Sequence, residues 1–224
     1  GVRRPGSVGN FRAFPRIKEL SPGEPEELGR TAAERRERHD KRAVAAPAAP
    51  PAINADSEML FQQGLAAYNQ FHYDQAIALY DKALAADSKN YKALSGKGIA
   101  LAMQGNGSND NEVKQGIACV RQALQIAPEY VPAYYDLALA LKIDKQYDEA
   151  IAWFQKVIAK EPDNTWSYYG IATIYGDQGK AKEAVSYLKQ AVALDPENVR
   201  QAAQNQSHLD KIRSDPEFKK LISQ

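Results

Sequence analysis

Apolar residues in the segment 131–164 recur at the spacing of two helices joined by a short turn. Within each half, successive apolar positions lie three or four residues apart, as one face of an α-helix requires. Lys145 and Gln146 interrupt the pattern between the halves, and Pro162 follows the second half, where a residue without an N–H cannot continue a helix. The apolar positions are Tyr134, Leu137, Ala138 and Leu141 in the first half, and Tyr147, Ala150, Ile151, Phe154, Val157 and Ile158 in the second. The pattern predicts a helical hairpin whose apolar side needs neighbouring hairpins for its burial.

The same hairpin recurs along the chain. Ala150 has small counterparts at Ala76, Gly116 and Ala184, which gives steps of 40, 34 and 34 residues. A period near 34 with small residues at fixed positions is typical of stacked helix pairs. Further small residues let the two helices of each pair approach closely, and these are Gly64, Gly98, Ala138 and Ala172. We therefore predict four repeats, which span residues 57–90, 91–130, 131–164 and 165–198.

With this period and these small positions, the sequence resembles the tetratricopeptide repeat family over roughly residues 57–198. The resemblance implies an all-α fold, in which helix–turn–helix repeats form a right-handed superhelical stack that a C-terminal capping helix closes. It also implies that the first helices of the repeats line a concave face that binds other proteins.

Two of the four repeats depart from the regular unit. In the first, Gln63 and Ala67 replace larger apolar residues and Phe71 replaces a turn glycine, as is common in a terminal repeat. In the second, the step of 40 residues shows an insertion of six within Gly105–Glu112. Because its sequence, GNGSNDNE, consists mostly of turn formers, we expect a longer surface loop there. The spacing of its oxygen-bearing side chains does not match a calcium-binding loop.

Residues 1–56 do not follow the repeat pattern. Residues 1–42 form an arm rich in arginine, and residues 43–56 form a linker rich in alanine and proline. Apolar residues are too sparse in the arm to build a core, so we expect residues 1–50 to be dispensable for folding. Three interpretations of the arm stay open: a disordered tail, a segment that docks on another surface, or sequence foreign to the protein. The change from arginine in the arm to lysine in the repeats favours the third.

The residues after the fourth repeat, 199–224, predict capping helices. We expect the first over about Val199–Ile212, with one apolar and one polar face, as the end of a stack requires. Asp215 followed by Pro216 predicts the start of a last short helix. The apolar anchors are Ala202, Leu209 and Ile212 in the first helix, and Phe218, Leu221 and Ile222 in the second.

Composition excludes several classes of function. Lysine and arginine number 29 and aspartate and glutamate 28, so the formal net charge is only +1. This balance argues against a dedicated nucleic-acid-binding protein, and acidic residues within the arm would weaken any attraction of the arm to phosphate. No apolar run reaches the eighteen or so residues that a membrane span needs. We expect neither nucleic acid nor a membrane span.

The sequence also lacks a recognisable catalytic or metal-binding motif. Cys119 is the only cysteine, which leaves no intrachain disulfide and no thiolate metal site, and we expect it to pack inside its repeat. The histidines, at positions 39, 72 and 208, are scattered, and no metalloprotease, hydrolase or phosphate-loop motif occurs. We therefore expect no enzyme, no cofactor and no metal.

The candidate site follows from the resemblance, which places positions 2, 5, 9 and 12 of each first helix on the concave face. A solvated face should not be so rich in apolar side chains, and such a patch usually marks an interaction site. The alternative is that neighbouring first helices bury these side chains against each other. The predicted peptide-binding groove consists of Phe61, Leu65, Tyr68, Lys92, Ile99, Met103, Tyr135, Leu139, Lys142, Trp166, Tyr169 and Thr173.

These observations predict a non-enzymatic scaffold that binds an apolar or aromatic peptide or helix in this groove. The alternative is a self-assembling structural protein, in which the arm or capping helix of one chain occupies the groove of a neighbour. One variant of the family clamps a C-terminal carboxylate through a lysine and an asparagine in its first repeat. This sequence has Phe61 and Leu65 at those positions, which disfavours a co-chaperone that binds EEVD-type chaperone tails.

Overall fold

Residues 47–223 are described by the structure, a computed structural model, and their regular elements are ten α-helices and one short 3₁₀ helix. The all-α fold of stacked helical hairpins is confirmed. Four helix pairs follow one another: α1 Ala55–Asn69 and α2 Tyr73–Ala86, α3 Tyr91–Gly105 and α4 Asp110–Ile126, α5 Val131–Ile143 and α6 Tyr147–Lys160, α7 Thr165–Asp177 and α8 Ala181–Leu194. The chain then forms α9 Pro196–Asn205, the 3₁₀ helix Ser207–Ile212 and α10 Pro216–Ile222.

Each second helix packs on the first helix of its own repeat, and α2, α4 and α6 also pack on the first helix of the next repeat. The first helices also contact one another in the order α1, α3, α5 and α7. One continuous core of buried apolar side chains results, and it runs from Phe61 in α1 to Phe218 in α10. This core is what an isolated hairpin could not supply for itself.

The joint between the first two repeats is a tyrosine ring held between two glycines. Tyr80 of α2 is fully buried, and a Cβ added to Gly64 of α1 or Gly96 of α3 would lie 2.7 or 2.6 Å from its ring carbons. Phe154 of α6 makes a similar joint with Gly170 of α7, where an added Cβ would lie 2.5 Å from the ring. These glycines are therefore required by the space that the aromatic rings occupy.

A buried hydrogen-bond network also ties the first repeat to the second. Ser57 Oγ donates to the Ala83 carbonyl oxygen at 2.7 Å, and Asn90 Nδ2 donates to Ser57 Oγ at 2.8 Å. Asn90 Oδ1 in turn accepts from the Ala93 backbone N–H at 2.9 Å and so caps α3. Because these groups are removed from water, their mutual bonding offsets the cost of burying them.

The longer surface loop predicted for the second repeat is wrong, because most of the insertion is helical. The α3 helix has 15 residues and α4 has 17, whereas α5 has 13 and α6 has 14. Asn109 caps α4 by accepting hydrogen bonds from the backbone N–H groups of Asn111 and Glu112. Only residues 106–109 lie between the two helices, one more than the three residues 144–146 of the third repeat. The α3–α4 hairpin is therefore extended at its tip.

The turns of the other three repeats share one backbone geometry. Phe71, Lys145 and Gly179 each follow a first helix with a positive φ, of 63°, 60° and 70°. In each turn the N–H of this residue and the N–H of the next residue bond back to carbonyls of the preceding helix. This is the Schellman arrangement, in which glycine is the favoured residue because it has no Cβ.

The first capping helix does not extend over 199–212 as predicted. The α9 helix begins at Pro196, with Asp195 as its N-cap, and it ends at Asn205. Arg213 donates to the carbonyl oxygens of Ala203 and Gln206. The last carbonyls of a helix have no partner within the helix, and these two bonds supply one. Residues 207–212 then turn away as the 3₁₀ helix and pack on α7. The predicted N-cap of the last helix is confirmed, since Asp215 accepts from the Phe218 N–H at 3.0 Å.

The interpretations of residues 1–42 lie outside the described residues. From Pro47 to Ile53 the chain is not helical, and Ile53 packs against Tyr91, Ala123 and Ala127.

Cys119 is half-buried on α4. Within residues 47–223, no helix combines the length and the apolar character needed to cross a bilayer.

Candidate functional site on the first helices

Eleven of the twelve predicted groove residues lie at positions 2, 5, 9 and 12 of the four repeats, counted from residues 57, 91, 131 and 165, and Met103 flanks them. We call these positions of α1, α3, α5 and α7 the first-helix face. Position 5 forms its floor, and all four side chains there are fully buried: Phe61, Ser95, Tyr135 and Tyr169. The ring of Phe61 packs on Tyr80, and the ring of Tyr135 packs on Phe154. The floor of the first-helix face therefore belongs to the core.

The exposure expected for the predicted groove is not found at nine of its twelve residues. The buried residues are Phe61, Tyr68, Ile99, Met103, Tyr135, Leu139, Lys142, Tyr169 and Thr173. The physical reason is that second-helix rings and adjacent helices cover the positions that a single hairpin would leave open. Leu65, Lys92 and Trp166 remain half-buried. A role of the whole set in peptide binding stays a prediction.

Position 2 of every first helix is accessible in part. Its four residues, which we call the position-2 row, are Glu58, Lys92, Pro132 and Trp166. Lys92 Nζ lies 3.3 Å from Glu58 Oε1, and it also lies 5.9 Å from the centre of the Phe61 ring. The Trp166 ring stands perpendicular to the buried Tyr169 ring. The accessible part of the first-helix face is thus a row of side chains above a buried floor.

A buried carboxylate lies in this floor, and no motif in the sequence identifies it. Ser95 Oγ of α3 donates a 2.7 Å hydrogen bond to Asp136 Oδ2 of α5, and both residues are fully buried. The bond joins the first helices of two adjacent repeats. The signal in the sequence was a single acidic residue within the apolar run of α5. A charge is rarely placed at such a position unless a partner compensates for its burial.

A second polar cluster joins α5, α7 and the 3₁₀ helix. His208 Nδ1 lies 2.7 Å from Asp177 Oδ2, and Lys211 Nζ donates to the Asp177 carbonyl oxygen at 2.6 Å. Burial lowers the pKa of Lys142 to about 7, and the nearby Asp177 carboxylate opposes that shift. Burial also lowers the pKa of His208, while its hydrogen bond to Asp177 acts in the opposite direction. Lys142, predicted as a groove cation, is therefore a core residue at this end of the stack.

The remaining chemistry of the described part of the chain is limited. No group of three or more His, Cys, Asp or Glu side chains in residues 47–223 is arranged to hold a metal ion. Burial raises the pKa of the Cys119 thiol, which disfavours the thiolate that a nucleophile needs. The arrangement as a whole can offer a contact surface to another molecule.

Comparisons with known proteins agree with this architecture. Three family models described as tetratricopeptide repeat match residues 61–109, 119–152 and 141–205. The fold is similar to solved structures of MamA. One of them, residues 41 to the end of MamA from Desulfovibrio magneticus RS-1, is 20% identical, has a TM-score of 0.56, and covers 77% of this chain and 92% of its own.

A second MamA structure, from AMB-1, is 21% identical with a TM-score of 0.53, and it covers 76% of this chain and 99% of its own. At these identities the likeness shows the fold alone. The comparison with curated proteins gives no match.

Proposed function

Because this chain belongs to the tetratricopeptide repeat family, whose fold is of the protein-interaction scaffold type, we propose that its first-helix face binds an apolar or aromatic peptide or helix. The repeats supply a rigid framework, and the partner supplies the side chains that complete the face. In this proposal the protein has no catalytic role.

The observation that carries the proposal is the placement of Trp166. It is a large aromatic residue on the first-helix face and it is exposed in part. Its ring packs edge-on against the buried Tyr169 ring. Tryptophan is enriched among residues that dominate binding energy, especially where the surrounding structure fixes its orientation. Pro132 and Leu65 add accessible apolar surface on the same face.

The charges of the face favour an apolar partner over an acidic tail. Lys92 is already paired with Glu58, and Lys142 is buried with a pKa near 7. A clamp for a terminal carboxylate needs accessible cations that are free to form charge-assisted hydrogen bonds. The two lysines of the face do not meet that requirement. This supports a partner that inserts aromatic or aliphatic side chains.

The polar clusters support a non-catalytic role. Asp136 and Asp177 are each bonded to a side chain from another element, Ser95 in one case and His208 in the other. Both contacts connect helices within the stack. Burial and packing explain both contacts without a substrate.

The experiment uses the two tryptophans of the chain as a matched pair. The full chain captures partners, and the affinity of the purified partner is then compared for Trp166→Ala and Trp153→Ala. Trp153 is also half-buried, but it lies on the second helix α6, where it packs on Tyr134. We expect Trp166→Ala to weaken binding by about 2 kcal/mol or more, the range of a binding hot spot.

Trp153→Ala should leave the affinity nearly unchanged. Equal losses for the two variants, or no loss for Trp166→Ala, would overturn the proposal. If the captured partner is a second copy of this chain, the elution volume in gel filtration will depend on concentration, and the self-assembling alternative will hold instead.

A further inference from the structure

A cleft of about 730 Å³ lies beyond the other end of α1, away from the position-2 row. One wall is the α1–α2 turn with the first residues of α2, and the other is the extended tip of the α3–α4 hairpin. Its lining includes Phe71, Tyr73, Asp74, Met103, Gln104 and Asn106. Gln104 donates a hydrogen bond to Asp74 across the two walls. Of these residues only Met103 belongs to the predicted groove, and none lies in the position-2 row that contains Trp166.

Two departures from the regular repeat meet at this cleft. The first is Phe71, which stands where the equivalent turns have Lys145 or Gly179. The second is the insertion that lengthens α3 and α4 and so raises the opposite wall. The third and fourth repeats have neither feature. The two departures therefore border one cavity from opposite sides.

Phe71 is unfavourable at its position for folding alone. It is 44% exposed, and its φ of 63° is a conformation that bulky residues rarely adopt. Both the exposed apolar surface and the backbone strain destabilise the folded chain. Lys145 shares the positive φ, so the partly exposed aromatic ring is what distinguishes Phe71. Its ring stands perpendicular to Tyr73 at 6.5 Å, so two aromatic surfaces meet at a right angle on the wall of the cleft.

We propose that this cleft binds residues 11–18 of the same chain, whose sequence is FRAFPRIK. The chemistry of the two is complementary. Asp74 is the one acidic or basic side chain among the described residues that line the cleft, if histidine is counted as neutral. Residues 1–18 contain five cations and no acid, and two of the cations flank Phe14 at a distance of two residues. Phe14 can pack against the Phe71 ring. An arginine beside it can then lie over an aromatic ring of the cleft or next to the Asp74 carboxylate.

The connecting chain is long enough for this contact. The described residues begin at Pro47, eight residues before the start of α1, and Phe71 follows the end of α1. A helix of 15 residues spans about 22 Å. Residues 19–46 number 28, and a flexible chain of that length has a root-mean-square reach of roughly 30 Å. Tethering therefore keeps the segment at a high local concentration near the cleft.

Limited trypsin digestion of the full chain tests the proposal. Cleavage after Arg12 and Arg16 reports on the bound segment, and cleavage after Arg35 in the same arm is the internal reference. Phe71→Gly removes the aromatic wall but suits the positive φ, so the repeat keeps its fold. We expect Phe71→Gly to raise cleavage after Arg12 and Arg16, relative to Arg35, by roughly tenfold, as the loss of one anchoring contact does.

The control is Lys145→Gly, which makes the same backbone change in the third repeat and should leave the cleavage ratio unchanged. Phe14→Ala should raise the ratio as Phe71→Gly does, and the double variant should raise it no further, because both changes remove one contact. The ratio should not depend on protein concentration. An unchanged ratio in Phe71→Gly, an equal rise in Lys145→Gly, or a ratio that changes on dilution would overturn the proposal.

Discussion

Trp166 stands perpendicular to Tyr169, with 5.4 Å between the ring centroids, and only Trp166 keeps part of its surface accessible. The two rings mark the boundary between the core and the first-helix face. Tyr169 is held by the stack, and burial raises the pKa of its hydroxyl. Trp166 rests on Tyr169 and can meet a partner. The proposed binding depends on this difference in exposure between two residues three positions apart on one helix.

Tyr135 should behave as a core residue. It is fully buried and its ring contacts Phe154 at 5.8 Å. Tyr135→Ala should lower the free energy of unfolding by about 3–5 kcal/mol, the cost of removing a buried aromatic side chain. Urea denaturation followed by circular dichroism measures this loss. A loss below about 1 kcal/mol would place Tyr135 on the surface.

Ala150, the small residue at the centre of the third repeat, is also fully buried. Ala150→Leu should overpack the junction of α6 with its neighbours and destabilise the protein by about 1–3 kcal/mol. Because repeats contact mainly their neighbours, hydrogen exchange should accelerate most in residues 91–198. Acceleration that is uniform from α1 to α10 would contradict this local response.

Lys142 should make stability depend on pH. Its pKa is about 7 in the folded protein, below the value of an exposed lysine. Between about pH 7 and 10 the unfolded chain therefore binds more protons than the folded chain, so the free energy of unfolding rises with pH in this window. Lys142→Met should flatten that rise and stabilise the protein below pH 7. Urea melts at pH 7 and pH 9 on both proteins provide the test.

Lys145 should limit stability through its backbone. Its φ of 60° is a backbone conformation that L-residues avoid because of their Cβ. Gly179 adopts a similar φ without that penalty. Lys145→Gly should raise the free energy of unfolding by up to about 1 kcal/mol, after the extra entropy of glycine in the unfolded chain is counted. The reverse change, Gly179→Ala, should destabilise. Opposite signs in the two thermal melts are the expected result.

The period of 34 residues was sufficient to predict the hairpins, because helix length and the small positions depend on neighbours within one repeat. The insertion was located correctly but its structure was not predicted. The Asn109 side chain caps α4, and α4 therefore begins at Asp110, earlier than the repeat pattern suggests. Composition alone could not distinguish that cap from a loop.

The candidate site was harder to predict, since exposure depends on contacts between repeats. Positions 2 and 5 both lie on the first-helix face in sequence terms, yet Trp166 is half-buried and Tyr135 is fully buried. The contact of Ser95 with Asp136 joins residues 41 positions apart, and no local pattern indicates it. The end of α9 depends in the same way on Arg213, whose bonds form only in the folded cap.

Binding at the first-helix face can be tested by a thermal melt and a binding assay on the same two proteins, Trp166→Ala and Tyr135→Ala. If the first-helix face binds the partner, Trp166→Ala keeps the melting temperature of the parent protein and loses about 2 kcal/mol of affinity for the captured partner. Tyr135→Ala should instead lower the melting temperature. If Trp166→Ala binds the partner as tightly as the parent protein does, or loses binding only because it unfolds, the first-helix face is not the binding site.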